Sequence, residues 1–137
     1  MRNNLDLLCA EFGQKIAEKV KDENIIRNAL SVLQEDGIYA CFLYLLSKED
    51  KKSEEDKKSK EDKMRELKDS LWEFLKHNRN PISRINRISG INEIKANNIH
   101  RAYASLSNSL ENLLFAKELL ERTLIYARYH AKAYGEE

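Results

Sequence analysis

The side chains able to do acid–base or metal chemistry in this 137-residue chain are scattered. Histidines stand at 77, 100 and 130, and none has another histidine or a cysteine three or four residues away, the helical spacing that zinc sites use. They read as solvated side chains, and no metal or cofactor is expected. Cys9 and Cys41 sit among apolar neighbours at helical spacing, where a free thiol behaves as a small buried hydrophobe in a reducing compartment. The glycines, at 13, 37, 90 and 135, are isolated, so there is no glycine-rich loop to cradle phosphate and hydrolysis of the P-loop kind is excluded. Most carboxylates lie in one mixed-charge run or beside a compensating lysine, which leaves them near their ordinary acidity. No nucleophile-elbow pattern surrounds a serine. The chemistry expected is therefore that of binding, and the chain is not read as an enzyme.

Charge is more informative than any catalytic motif. The whole chain nets only +1, yet between Lys76 and Arg101 six basic residues (Lys76, Arg79, Arg84, Arg87, Lys95 and Arg101) face one acid, Glu93, a local +5. The segments before and after it net −3 and −1. Arginines interleaved with asparagines suit sequence-independent contact with a phosphate backbone. The plainer reading is a solvated connector. Tyr103, Tyr126, Tyr129 and Tyr134 share the C-terminal segment with Arg122, Arg128 and Lys132, a combination that suits core, rim and subunit contacts.

The elements that would position these residues are helical. Gly (4) and Pro (1) are too few to turn a multi-stranded sheet. Leu5, Leu8, Cys9, Phe12, Ile16 and Val20 line one helix stripe. Asp22 either caps a second helix carrying Ile25, Ile26, Ala29, Leu30 and Leu33 or sits at a bend in the first. Gly37 suits a left-handed turn, and the apolar run 38–46 reads as a buried central helix. From Lys48 to Lys63 all sixteen residues are Lys, Glu, Asp or Ser. With nothing apolar to dock, that run reads as a flexible loop, the other reading being a solvated helix laced with Glu–Lys pairs. Helix resumes near Asp62 with Met64, Leu67, Leu71, Trp72 and Leu75. Pro81 and Gly90 punctuate an irregular stretch, and a long periodic segment from Ile99 to Ala133 bends near Ser105 to Ser109. The expectation is an all-α protein, residues 1–137 forming a single compact bundle of five to six helices with a charged mobile loop at 48–63. No apolar stretch approaches the length of a bilayer span and no signal peptide opens the chain, so a cytoplasmic protein is expected.

Residues 29–48, Ala-Leu-Ser-Val-Leu-Gln-Glu-Asp-Gly-Ile-Tyr-Ala-Cys-Phe-Leu-Tyr-Leu-Leu-Ser-Lys, resemble the central stretch of the small subunit of type III CRISPR effector complexes, the Cmr type in particular. In that family a helix, an Asn-Gly-Leu turn and an apolar helix ending near Ser-Lys follow in the same order. Here Asp36-Gly37-Ile38 stands at the turn, and Tyr126-Ala127-Arg128-Tyr129 replaces an ending of the Trp-Leu-Lys-Arg type. The charged insertion, the Leu71-Trp72 helix and the helix from Leu119 to Lys132 keep the family's order. The resemblance implies a non-catalytic subunit of an RNA-guided antiviral effector, stacked head-to-tail with itself and with other subunits, touching guide and target RNA. On that reading the single-stranded RNA backbone is met by Arg79, Arg84, Arg87, Lys95 and Arg101, without cofactor or membrane. The competing reading is a helical toxin–antitoxin-type or adaptor protein that acts by protein–protein binding. The helical ribonuclease motif of Arg, a polar residue, four more residues and His fails here, because Arg122 would need His at 128, where Arg stands.

Overall fold

A computed structural model of the chain describes residues 2–49, 55–77, 79–85, 91–107 and 109–135. These residues form an all-α bundle without strands: α1 (Arg2–Val20), α2 (Glu23–Asp36), α3 (Ile38–Glu49), α4 (Glu55–Lys76), the single turn α5 (Ile82–Ile85), α6 (Ile99–Leu106) and α7 (Leu110–Gly135). The apolar stripes read from the sequence face one continuous core, in which Ile16, Leu33, Leu45, Leu67, Trp72 and Leu124 are sealed from solvent.

Local chemistry sets the breaks. The α1–α2 junction is a true stop, with Lys21 in the left-handed region at φ 54 and its N–H donating to the Ala17 carbonyl at 3.0 Å. The Asp22 carboxylate then accepts the N–H groups of Asn24 and Ile25 at 3.1 and 3.2 Å, capping α2. Gly37 closes α2 at φ 97, donating to the Leu33 carbonyl, and its own carbonyl accepts the Cys41 N–H, so α3 starts at once. No neighbouring atom lies within 4 Å of a Cβ built at Gly37, so backbone conformation alone calls for glycine there. The expected bend at 105–109 separates α6 from α7, with the Ser109 hydroxyl accepting the Asn112 N–H at 3.3 Å.

Two expectations change. The charged run 48–63 is helical at 48–49 and again from Glu55, while 50–54 lie outside the described residues. Oppositely charged residues one turn apart, such as Asp62 and Arg65 at 2.8 Å, favour helix without an apolar face. The apolar stripe beginning at Met64 anchors the helix they extend, and Lys63 reaches Asp22 of the α2 cap at 3.7 Å. The second change is at α3, which is buried on one side only: Ile38, Cys41, Phe42, Leu45 and Leu46 face the core, while Leu43 is exposed.

The seam between α1 and α7 is close enough to need glycine. A Cβ on Gly13 would lie 2.7 Å from the Tyr126 Cβ and 2.9 Å from the Ala127 nitrogen. The two helices run parallel, Cys9 lying at Leu119 and Glu18 at Tyr134. α2 runs antiparallel to α7, with Arg128 on Glu23 at 2.9 Å and Lys117 on the Gln34 carbonyl at 3.4 Å. On the other side of the bundle α4 packs on α1 and α3, with Phe12 edge-on to Phe74 and Phe42 edge-on to Trp72.

Candidate nucleic-acid interface

The basic stretch is positioned by one face of α4. Lys68, Trp72 and Lys76 stand four residues apart, and each donates to a backbone carbonyl of the 91–94 segment. The Lys68 ammonium reaches Ile94 at 2.9 Å, the Trp72 indole reaches Ile91 at 2.7 Å, and the Lys76 ammonium reaches Asn92 at 2.9 Å. Ile91, Ile94 and Ile99 turn inward and are buried. The segment thus satisfies its polar backbone against side chains instead of a ladder, as buried carbonyls require.

Asn98 folds the following turn. Its side-chain oxygen accepts the Lys95 N–H at 2.8 Å and its amide donates to the Glu93 carbonyl at 2.9 Å. Turned backwards in this way, Asn98 makes no side-chain cap on α6, whose first turn carries the positive end of the helix dipole. With the isoleucines turned in, Asn92, Glu93, Lys95, Asn97, Asn98, His100 and Arg101 together with Ile91 line an open groove of about 770 Å³. Lys95, His100 and Arg101 are exposed, and among the described residues neither Lys95 nor Arg101 is held in an ion pair.

Glu93 does not cancel these charges, because its carboxylate lies 3.4 Å from the buried Lys68 ammonium. Asp69 approaches the same ammonium at 3.5 Å. Partial burial pushes the Asp69 carboxyl above its ordinary value, Lys68 opposes that, and the nearby Glu93 adds to it. Asn92 and Glu93 also border a smaller depression of about 250 Å³ lined by Asp69, Trp72 and Glu73. The carboxylates on that side of the groove are thus paired with the lysines of α4, Asp69 and Glu93 with Lys68 and Glu73 with Lys76.

Of the five residues expected to meet RNA, the fold brings Lys95 and Arg101 together. Arg79 is exposed but paired with Glu11 at 3.2 Å across to α1, and it does not line the groove. Arg84 belongs to α5, but its side chain lies outside the described residues, as does Arg87 entirely. Lys76 is committed to the Asn92 carbonyl and to Glu73 at 3.4 Å. Asn80, from the asparagine-rich stretch, is buried and structural: its amide donates to Phe74 and its oxygen accepts the Ile82 N–H. His100 joins the groove. Its sequence signal was present, one residue before Arg101. The three histidines remain apart, with His77 edge-on to Phe12 and His130 near Tyr134, and the described residues contain no metal-binding cluster.

The arrangement supplies point charges, a ring N–H and amide donors on one open surface, which is chemistry for holding a phosphodiester chain. Comparison with known proteins gives no match, whether with family models, with curated proteins or with solved structures. Among the described residues no helix is long and apolar enough to cross a membrane.

Proposed function

We propose that this chain is a non-catalytic small subunit of a type III CRISPR RNA-guided effector complex, working in the cytoplasm in antiviral defence and holding the backbone of guide or target RNA. The observation that carries the RNA contact is the groove in which Lys95 and Arg101, without an ion pair among the described residues, stand with His100 and three asparagines on one surface. The effector assignment draws on the likeness of residues 29–48 to that family's central helices. Head-to-tail stacking and contact with other effector subunits follow from the same likeness. Nothing in the groove reads base edges from a defined frame, so binding is expected to be indifferent to sequence and steeply salt-sensitive.

The test is fluorescence anisotropy of the full chain with labelled single-stranded RNA across a salt series. Wild type is compared with Lys95→Glu/Arg101→Glu and with Arg79→Glu/Arg84→Glu/Arg87→Glu. Binding that weakens with salt and is lost in the first variant supports the groove, and loss only in the second moves the contact to the 79–87 stretch. No binding at low salt removes RNA from the account of the free subunit and leaves the protein–protein adaptor reading.

A further inference from the structure

The outer face of α7 has a pattern that its own bundle does not use. Inward, Ala116, Leu119, Leu120, Thr123, Leu124 and Ala127 are buried. Outward, four large apolar side chains meet solvent: Leu110 is 69% exposed, Leu114 55%, Ile125 37% and Tyr129 63%. Tyr134, also exposed, is accounted for by its hydrogen bond to Glu18 at 3.3 Å. With Glu118 and Glu121 between them, the outward residues follow one another at steps of four, four, three, four and four, which keeps them on one side of the helix. That series reads the same from either end. Its midpoint falls between Leu119 and Leu120, so Leu110 and Tyr129 are equidistant from it, as are Leu114 and Ile125.

We propose that α7 pairs antiparallel with the α7 of a second copy of this chain, about a two-fold axis level with the peptide between Leu119 and Leu120. That register sets Leu110 of each copy against Tyr129 of the other and Leu114 against Ile125, making four apolar contacts from two kinds of pair. A two-fold axis also lays like flanks of the two helices side by side. On one flank stand Glu118 and Arg122, which already pair within the helix at 3.5 Å, and on the other stand Lys117 and Glu121, which pair at 3.8 Å. Inversion through the midpoint sets Glu118 level with the second copy's Glu121, and one residue along the like flank each of these carboxylates meets a cation, Glu118 the second copy's Arg122 and Glu121 its Lys117, so each flank pairs opposite charges. At 26 residues α7 is about 39 Å long, enough to carry all four apolar contacts. The pairing is isologous and closes at two copies, whereas head-to-tail stacking is heterologous and does not. It does not rest on RNA binding.

Sedimentation velocity over a concentration series measures the pairing, and cross-linking fixes its register. Wild type is expected to pass from monomer to dimer, with Leu114→Glu raising the dissociation constant by about tenfold or more. Lys117→Glu weakens the pair, while Lys117→Glu/Glu121→Lys restores it. Because Cys9 and Cys41 are buried, surface thiols can be introduced singly. Under mild oxidation a mixture of Leu114→Cys and Ile125→Cys proteins should form the mixed disulfide-linked dimer, while each variant alone stays uncross-linked. Circular dichroism verifies that each variant is folded. A wild type that remains monomeric up to its solubility limit overturns the proposal, as does self-cross-linking of Leu114→Cys at least as fast as the mixture.

Discussion

The α1–α7 seam and the clasp of α4 on residues 91–94 hold two parts of the molecule by opposite means. At the seam, Gly13 lets two backbones approach until a methyl group would not fit, and the contact is apolar and continuous along both helices. Its polar contribution is peripheral, the Tyr126 hydroxyl donating to Asp6 at 3.0 Å, with that hydrogen bond pushing the Tyr126 pKa up. At the clasp, an irregular segment is held by three long side chains that each grip one carbonyl. A helix–helix seam fails as a unit, because its contacts are shared along its length. A clasp of separate hydrogen bonds can loosen locally while the bundle stays folded.

Substitutions separate these two modes, the largest effect belonging to the seam. Gly13→Ala forces a Cβ into the Tyr126 side chain and the Ala127 backbone, and is expected to cost about 3 kcal/mol in urea unfolding, with protection lost throughout the bundle. A cost below about 0.5 kcal/mol, the range of neutral surface changes, would mean that the seam has slack. Trp72→Phe keeps an aromatic side chain but removes the pyrrole part of the indole, leaving a small void and the Ile91 carbonyl without its donor. It should cost about 1–2 kcal/mol, and amide exchange should accelerate over residues 91–98 before the rest. Uniform acceleration would erase the distinction between the two regions.

Smaller effects sharpen the same contrast. Lys21 ends α1 beside the seam in a left-handed conformation that costs a non-glycine residue energy. Lys21→Gly is expected to raise the midpoint of thermal unfolding, by up to about 1 kcal/mol in stability, provided that relief of strain exceeds the added freedom of the unfolded chain. An unchanged or lowered midpoint would show that the turn is comfortable with lysine. In the clasp, Asp69 holds its proton more tightly in the folded state than at the ordinary 3.8. A raised folded value means that its stabilising contribution is complete below the unfolded value and is lost as pH rises through the folded one. The stability of wild type relative to Asp69→Asn should therefore increase as pH falls from neutral toward and below 3.8. A difference independent of pH would show that partial burial does not perturb this carboxyl.

Sequence patterning revealed the helices because a buried stripe recurs every three to four residues, as at Leu67, Leu71, Trp72 and Leu75. Of the two readings of the charged run, the described residues 48–49 and 55–63 follow the helical one and not the favoured loop, because the absence of an apolar face says nothing of the anchoring stripe that begins at Met64. The clasp was harder still. The acceptors for Lys68, Trp72 and Lys76 are backbone carbonyls, which leave no trace in side-chain identity, and only the shared spacing of four hinted that these donors act together. Gly13 looked like one isolated glycine among others until the opposing helix was in place. The basic cluster was visible by count, but the division between Lys95 and Arg101 on one groove and Arg79 tied to Glu11 depended on tertiary placement.

The two thiols give the α1–α7 seam and the α2–α3 contact separate clocks. Cys9 lies at the seam with its Sγ 3.8 Å from the Leu119 carbonyl, and Cys41 lies between α3 and α2 with its Sγ 3.6 Å from the Ala29 carbonyl. Burial pushes the Cys41 thiol up to about 12 and raises that of Cys9, so neither is a ready nucleophile while the bundle is closed. Each alkylation under native conditions then registers one opening of its own helix pair, and mass spectrometry of the two peptides would time them independently in a single unlabelled sample.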